Sequence, residues 1–165
     1  MHPEALGWVE AHATREVVDV LDIGGRNVNG TPRVFFPAAR WTVLDIRPGD
    51  DVDIIADAAT WNPGYDRWDV VVCCETLEHA RRWPAILHTA HLALAPGGRL
   101  IVTTAAPGRL IHSGVDGGPI LHPGEHYQNI DPDALHAALE AAGFVDITID
   151  IQPEPADVRA VATKP

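Results

Sequence analysis

Short apolar runs, each closing on a glycine or a carboxylate, recur along this chain. Val17–Ile23 stops at Gly24-Gly25, Trp41–Ile46 carries Asp45 near its end, Val52–Ala56 stops at Asp57, and Trp68–Cys74 stops at Glu75. Runs of this kind, rich in Val, Ile and Leu, suit strands buried on both faces, which is the condition of a parallel sheet. Helical patterns alternate with them. Trp83, Ile86, Leu87, Ala90 and Leu94 share one face, with Pro84 in the opening turn and Pro96-Gly97-Gly98 as the stop.

The remaining segments complete the same plan. Pro3–Glu16 reads as a short leading helix, and Val34–Ala39 as a weak, proline-interrupted segment. Arg99–Ala105 is a fifth strand. Asp131-Pro132-Asp133 opens a helix whose face is Leu135, Ala138, Leu139 and Ala142, and Gly143 closes it. Phe144–Ile151 and Asp157–Ala162 are two last strands joined by a polar turn. The expectation is an α/β fold in which a Rossmann-like, doubly wound, mostly parallel seven-stranded sheet carries an antiparallel strand of a C-terminal hairpin at its edge. Residues 1–165 read as one domain, with residues 1–16 as a short N-terminal helix and 106–130 as a substrate or lid loop.

Composition narrows the function. A net charge of -11, with 12 basic against 23 acidic residues and no basic stripe, disfavours nucleic acid, whose binding draws on clustered Lys and Arg. Cys73 and Cys74 are adjacent in a strand run, so they point to opposite faces and are not placed to bridge. Neither a signal peptide nor a membrane span is read in the chain, and a cytoplasmic setting is the expectation. Nine histidines invite a metal, but His88 and His91, and His122 and His126, have no Cys or carboxylate cluster at zinc-like spacing, so no metal is expected.

In sheets of this type ligands bind beyond the carboxyl ends of the strands, at the topological switch point. That rule selects Gly24, Asp45, Asp57 and Glu75. The turn Leu21-Asp22-Ile23-Gly24-Gly25 would let a ligand approach backbone amides without a side chain in the way. About twenty residues on, Asp45 stands where a carboxylate accepts from both hydroxyls of a ribose.

The stretches Leu21–Gly30, Leu44–Gly49 and Val52–Ala58, then Trp68–Val71, Glu75-Thr76-Leu77-Glu78-His79, Leu94–Leu100 and His126–Ile130, resemble in order the class I S-adenosylmethionine-dependent methyltransferases of the "type 11" group. The likeness runs from about Val17 onward. One departure stands out: of the group's common Gly-x-Gly-x-Gly loop only Gly24 is kept, with Arg26 and Val28 at the later positions. The resemblance implies S-adenosyl-L-methionine as cofactor. It places Gly24 and Gly25 beneath the methionine part, Asp22 facing the amino group, Asp45 on the ribose, Asp57 and the Ala58 amide on adenine, Ile46 against the adenine face, and Glu75 near the reacting end.

Transfer of a methyl group from a sulfonium needs alignment and exclusion of water more than acid–base groups. For a hydroxyl or amine acceptor a base helps, and His126 and His79, with Glu75 beside them, are the candidates. The expected partner is a small-molecule acceptor. A short N-terminus would leave the site open for a second subunit to close, so a homodimer is also expected. Two other functions compete: a binding module or degenerate methyltransferase that holds cofactor without catalysis, and a nicotinamide dehydrogenase, against which Arg26 and Asn29 occupy later glycine positions.

Overall fold

The computed structural model describes residues 1–165. The strands are β1 (Asp19–Ile23), β2 (Arg40–Asp45), β3 (Ile54–Ile55), β4 (Trp68–Cys74), β5 (Leu94–Ala105), β6 (Val145–Gln152) and β7 (Asp157–Thr163). The helices are α1 (Pro3–His12), α2 (Trp83–Ala93) and α3 (Pro132–Ala142), with 3-10 turns at Pro32–Phe35 and Leu77–His79. All seven strands form one sheet in the order β3-β2-β1-β4-β5-β7-β6. The first five pair in parallel, while β7 is antiparallel to both neighbours. Strand order reverses between β1 and β4, which fixes the switch point beside Gly24 and Glu75.

The side-chain alternation of the central strands sorts the core into two layers. Leu21, Ile23, Val71, Cys73, Leu100 and Val102 face α2 and α3 in a cluster of 22 buried residues. Val20, Val70, Val72, Cys74 and Ile101 join Val9 of α1 and Phe36 in a second cluster of 7. Cys73 and Cys74 therefore lie on opposite faces as free thiols, as their adjacency requires. Asp131 caps α3 by accepting from the amides of Asp133 and Ala134, and Gly143 ends it at φ 100, a left-handed conformation glycine tolerates.

Two expectations are corrected. The antiparallel strand is not at the edge: β7 lies between β5 and β6. Its small residues Val158, Ala160 and Ala162 are fully buried in the larger cluster, whereas β6 carries Asp146 and Asp150, charges that suit an exposed edge. Pro96-Gly97-Gly98 does not separate α2 from its strand. The helix ends at Ala93, Leu94 already pairs with Trp68, and the glycines bulge where the register shifts between Trp68 and Val70. Of the weak segment Val34–Ala39, Val34 and Phe35 end a 3-10 turn that begins at Pro32, where Thr31 accepts from the Arg33 amide.

Candidate active site

At the switch point the ends of β1, β2 and β4 and the segment 106–131 enclose one cavity of about 780 Å³. That size suits a nucleoside-bearing ligand. Its walls include Asp22, Gly24, Gly25, Asp45, Ile46, Asp57, Ala58, Glu75, His79 and His126, so every residue singled out from the sequence reaches the same space.

The glycine turn works differently from the expectation. The amides of Gly24 and Gly25 both donate to the Leu44 carbonyl, at 2.7 and 3.3 Å, so they anchor β1 to β2 and are not left for a ligand. Glycine is required by crowding inside the turn. Gly24 has φ +76, and a Cβ there would stand 2.1 Å from Thr76 Oγ1; one on Gly25 would stand 2.4 Å from Asp22 Cγ. Thr76, which sequence reasoning passed over, closes the turn by donating to the carbonyls of Cys74 and Ile23.

Asp22 is the least compensated acid of the site. It is 2% exposed, its Oδ2 has no partner, and burial, with Asp45 and Asp51 nearby against the opposing Arg33, pushes its carboxyl up to about 7. A buried polar oxygen without a partner is costly and points to a donor supplied from outside. Asp45 is held differently. Its oxygens accept from the amides of Arg26 (3.3 Å) and Arg47 (2.8 Å), which orients the carboxylate at the end of β2. Asp57 accepts from the Ala59 amide and from the Arg82 guanidinium, 3.0 Å away, and the Ala58 carbonyl accepts from Thr89 Oγ1. A carboxylate offers about four acceptor sites, so Asp57 retains capacity despite that ion pair.

Glu75 sits at φ +51, a strained conformation for a residue with a side chain. Its carboxylate accepts from Thr103 Oγ1 at 3.0 Å and lies 3.5 Å from Arg109 and 3.4 Å from His2 Nε2. Burial raises its carboxyl, but His2, Arg109 and Thr103 outweigh that and hold it below the usual range. The same Arg109 and His2 contact Asp157, which is fully buried. His2 is held up at about 10: burial opposes the charge, and Asp157 and Glu75 overcome it. No sequence pattern linked Arg109 to Glu75, because the two are 34 residues apart.

At the other end of the cavity His79, His112 and Tyr127 meet edge to face, with centroids 5.0, 5.6 and 4.9 Å apart. Burial, followed by His112, lowers His79 to about 4, so its ring is neutral near pH 7. Nδ1 of His79 and Nε2 of His126 are buried without partners. Glu125 ties the loop to itself, accepting from Ser113 Oγ, the Val115 amide and the His122 amide. Arg26 clasps that loop, donating to the carbonyls of Gly114 (3.0 Å) and Val115 (2.9 Å). The position that departs from the glycine pattern thus has a task of its own. Among the histidine pairs read from sequence, His91 packs edge-on against Phe144, a core contact.

The fold and sequence have known counterparts. A family model described as a methyltransferase domain matches residues 6–149. The ubiquinone biosynthesis O-methyltransferase of Azotobacter vinelandii is 27% identical over 121 residues, covering 63% of this chain and 51% of that protein. The chain thus spans about half the length of this curated relative. The 1,6-didemethyltoxoflavin N1-methyltransferase of Burkholderia thailandensis, solved with its substrate and S-adenosylhomocysteine, superposes with a TM-score of 0.72 at 21% identity, over 98% of this chain and 77% of that one. Phosphoethanolamine N-methyltransferase 2 of Haemonchus contortus gives 0.74 at 12% identity, over 98% and 52%. On the matched domain and the seven-stranded sheet, this chain belongs to the class I S-adenosylmethionine-dependent methyltransferase family.

Proposed function

We propose that this chain transfers a methyl group from S-adenosylmethionine to a small-molecule acceptor. The observation that carries this reading is the convergence of Asp22, Asp45, Asp57 and Glu75, drawn from four successive segments, on one cavity at the switch point. The residues fit the cofactor: an unpartnered buried carboxylate, a pre-oriented carboxylate at the end of β2 and an apolar flank at Ile46 are present together. Small molecules are favoured as acceptors by the negative charge of the chain and by the names of the ubiquinone and didemethyltoxoflavin enzymes it resembles.

When bound, S-adenosylmethionine supplies an electrophilic methyl group on a sulfonium. Asp45 would accept from the ribose hydroxyls, Asp57 with the Ala58 amide would hold the adenine edge, and Ile46 would pack against the base. Asp22 and Glu75 would take the charged amino-acid end beside the glycine turn. The segment 106–131 excludes water from the reacting end. His126 takes the acceptor's proton; His79, lowered to about 4, is too weak a base near pH 7 to share that task. A homodimer that closes the cavity mouth would use Leu110 and Ile120, which are 83% and 78% exposed. Light scattering reads it directly, and a fully active monomer removes it.

Isothermal titration with S-adenosylhomocysteine tests the central reading. Micromolar binding, weakened at least about tenfold in Asp45→Ala, is expected, since hydrogen bonds to a charged group contribute about 1.5–3 kcal/mol. No binding at millimolar ligand would sink it. Tight binding without methyl transfer to any of a broad panel of phenols, amines and carbon acids would favour a non-catalytic binding module.

A further inference from the structure

One cluster at the reacting end has no task in methyl-donor binding. The 3-10 turn Leu77–His79 sets Glu78 and His79 side by side, and the segment 106–131 brings His112 against them. One donor atom from each of the three lies within 4.8 Å of the others. Glu78 is fully buried. Its Oε2 accepts from Thr104 Oγ1 at 2.7 Å, whereas Oε1 has no hydrogen-bond partner and faces His112 Nε2 at 3.8 Å. The turn itself is pinned, because the Gln128 amide donates to the Glu78 carbonyl at 2.9 Å.

An isolated buried carboxylate is costly, and two things relieve it: a proton or a cation. Two imidazoles and a carboxylate form the donor set of open zinc sites, with three protein ligands and a fourth position free. Tetrahedral ligands at about 2.0–2.1 Å from a metal stand roughly 3.3 Å apart, so closure needs a shift of up to about 1.5 Å. His112 can supply it, since it belongs to an irregular segment and not to the sheet. His79 and His112 line the cavity and Glu78 stands behind them, which turns the free position toward the acceptor.

We propose that Glu78, His79 and His112 form a binding site for a divalent transition metal of the zinc class, with its open coordination position at the acceptor end of the cavity. Metal binding stands on these three residues alone; its role, polarising an acceptor's hydroxyl oxygen, rests on the methyl-transfer reading. The protonation states agree with the geometry. Neutral His79 is ready to ligate, and burial, then the charge of Glu75, raises the Glu78 carboxyl, so a cation there competes with a proton.

The test is titration of the cofactor-free chain with zinc chloride at pH 7 in two buffers of different ionisation enthalpy, and with cobalt(II) for its visible bands. The expected result is one site per chain, a dissociation constant in the micromolar range or below, about one proton released per zinc, and cobalt bands of a four- or five-coordinate site. His112→Ala and Glu78→Gln should each weaken binding at least about thirtyfold, and His88→Ala with His91→Ala should not change it. Circular dichroism and S-adenosylhomocysteine titration of the same variants verify that they fold. Unchanged affinity in folded His112→Ala, loss only with His88 and His91, or no zinc binding by the wild type overturns the site. Failure of the wild type to bind S-adenosylhomocysteine overturns the methyl-transfer reading and leaves the zinc result standing.

Discussion

Asp22 shows how one side chain links folding to binding. In the folded chain its carboxyl is pushed up to about 7, mainly by burial, against an ordinary value of 3.8. A raised acid contributes stability that is fully present below the unfolded value and is lost as pH rises through the folded one. Between pH 4 and 7 the folded state therefore holds a proton that the unfolded state has released. Asp22→Asn, which removes the ionisation, should leave ligand-free stability near wild type at pH 4.5 and raise it by a few kcal/mol at pH 8, read from thermal melts across pH. The ionised carboxylate is also the form that attracts an ammonium group. S-adenosylhomocysteine affinity of the wild type should therefore rise severalfold from pH 6 to 8 and stay flat in Asp22→Asn, and a flat wild-type profile would remove Asp22 from the site. Asp45 behaves otherwise, because it is oriented by the amides of Arg26 and Arg47 and stands at the cavity wall. Asp45→Ala should cost affinity while shifting the melting temperature by less than about 2 °C, since it leaves no buried group unpaired.

The elements differ in how far the sequence announced them, and the reason is whether local or distant contacts define them. β4 was legible to the residue, because Trp68–Cys74 is apolar almost throughout and ends at an acid. α3 was legible through Asp131 and Gly143, whose capping chemistry is local. β3 shrank to two residues, and β7 moved inward from the edge, because strand placement depends on pairing partners far along the chain. The carboxylates that line the cavity were legible since the switch-point rule fixes where strand ends meet. Arg109, Thr76 and Glu78 were not, as their roles come from contacts that only the folded sheet creates. Arg26 is the instructive case: its place in the glycine loop read as a departure, yet two hydrogen bonds join it to the loop over the cavity. Arg26→Ala should release that loop. Amide exchange across Ser113–Gly118 should quicken, and S-adenosylhomocysteine should dissociate roughly tenfold faster, with little change in melting temperature. Unchanged exchange and dissociation would mean that the clasp holds nothing.

The whole molecule is lopsided, with 22 buried residues in the cluster facing α2 and α3 and 7 in the cluster that includes Val9 of α1. Both clusters nonetheless share the central strands, because alternate residues of β1, β4 and β5 belong to each. A sheet shared in this way should unfold as one cooperative unit, and the cavity at its strand ends should disappear with it. Leu87→Ala on the thick side should cost about 2–5 kcal/mol, and Val9→Ala on the thin side less, since it removes fewer buried carbons. If there is a single unit, S-adenosylhomocysteine at a hundred times its dissociation constant adds about 2.7 kcal/mol to wild type and to both variants alike, because the ligand sees only the folded state. Denaturant unfolding with and without ligand measures this. An increment lost in Val9→Ala but kept in Leu87→Ala would instead mean that the thin face opens by itself and takes the strand ends carrying Gly24 and Glu75 with it.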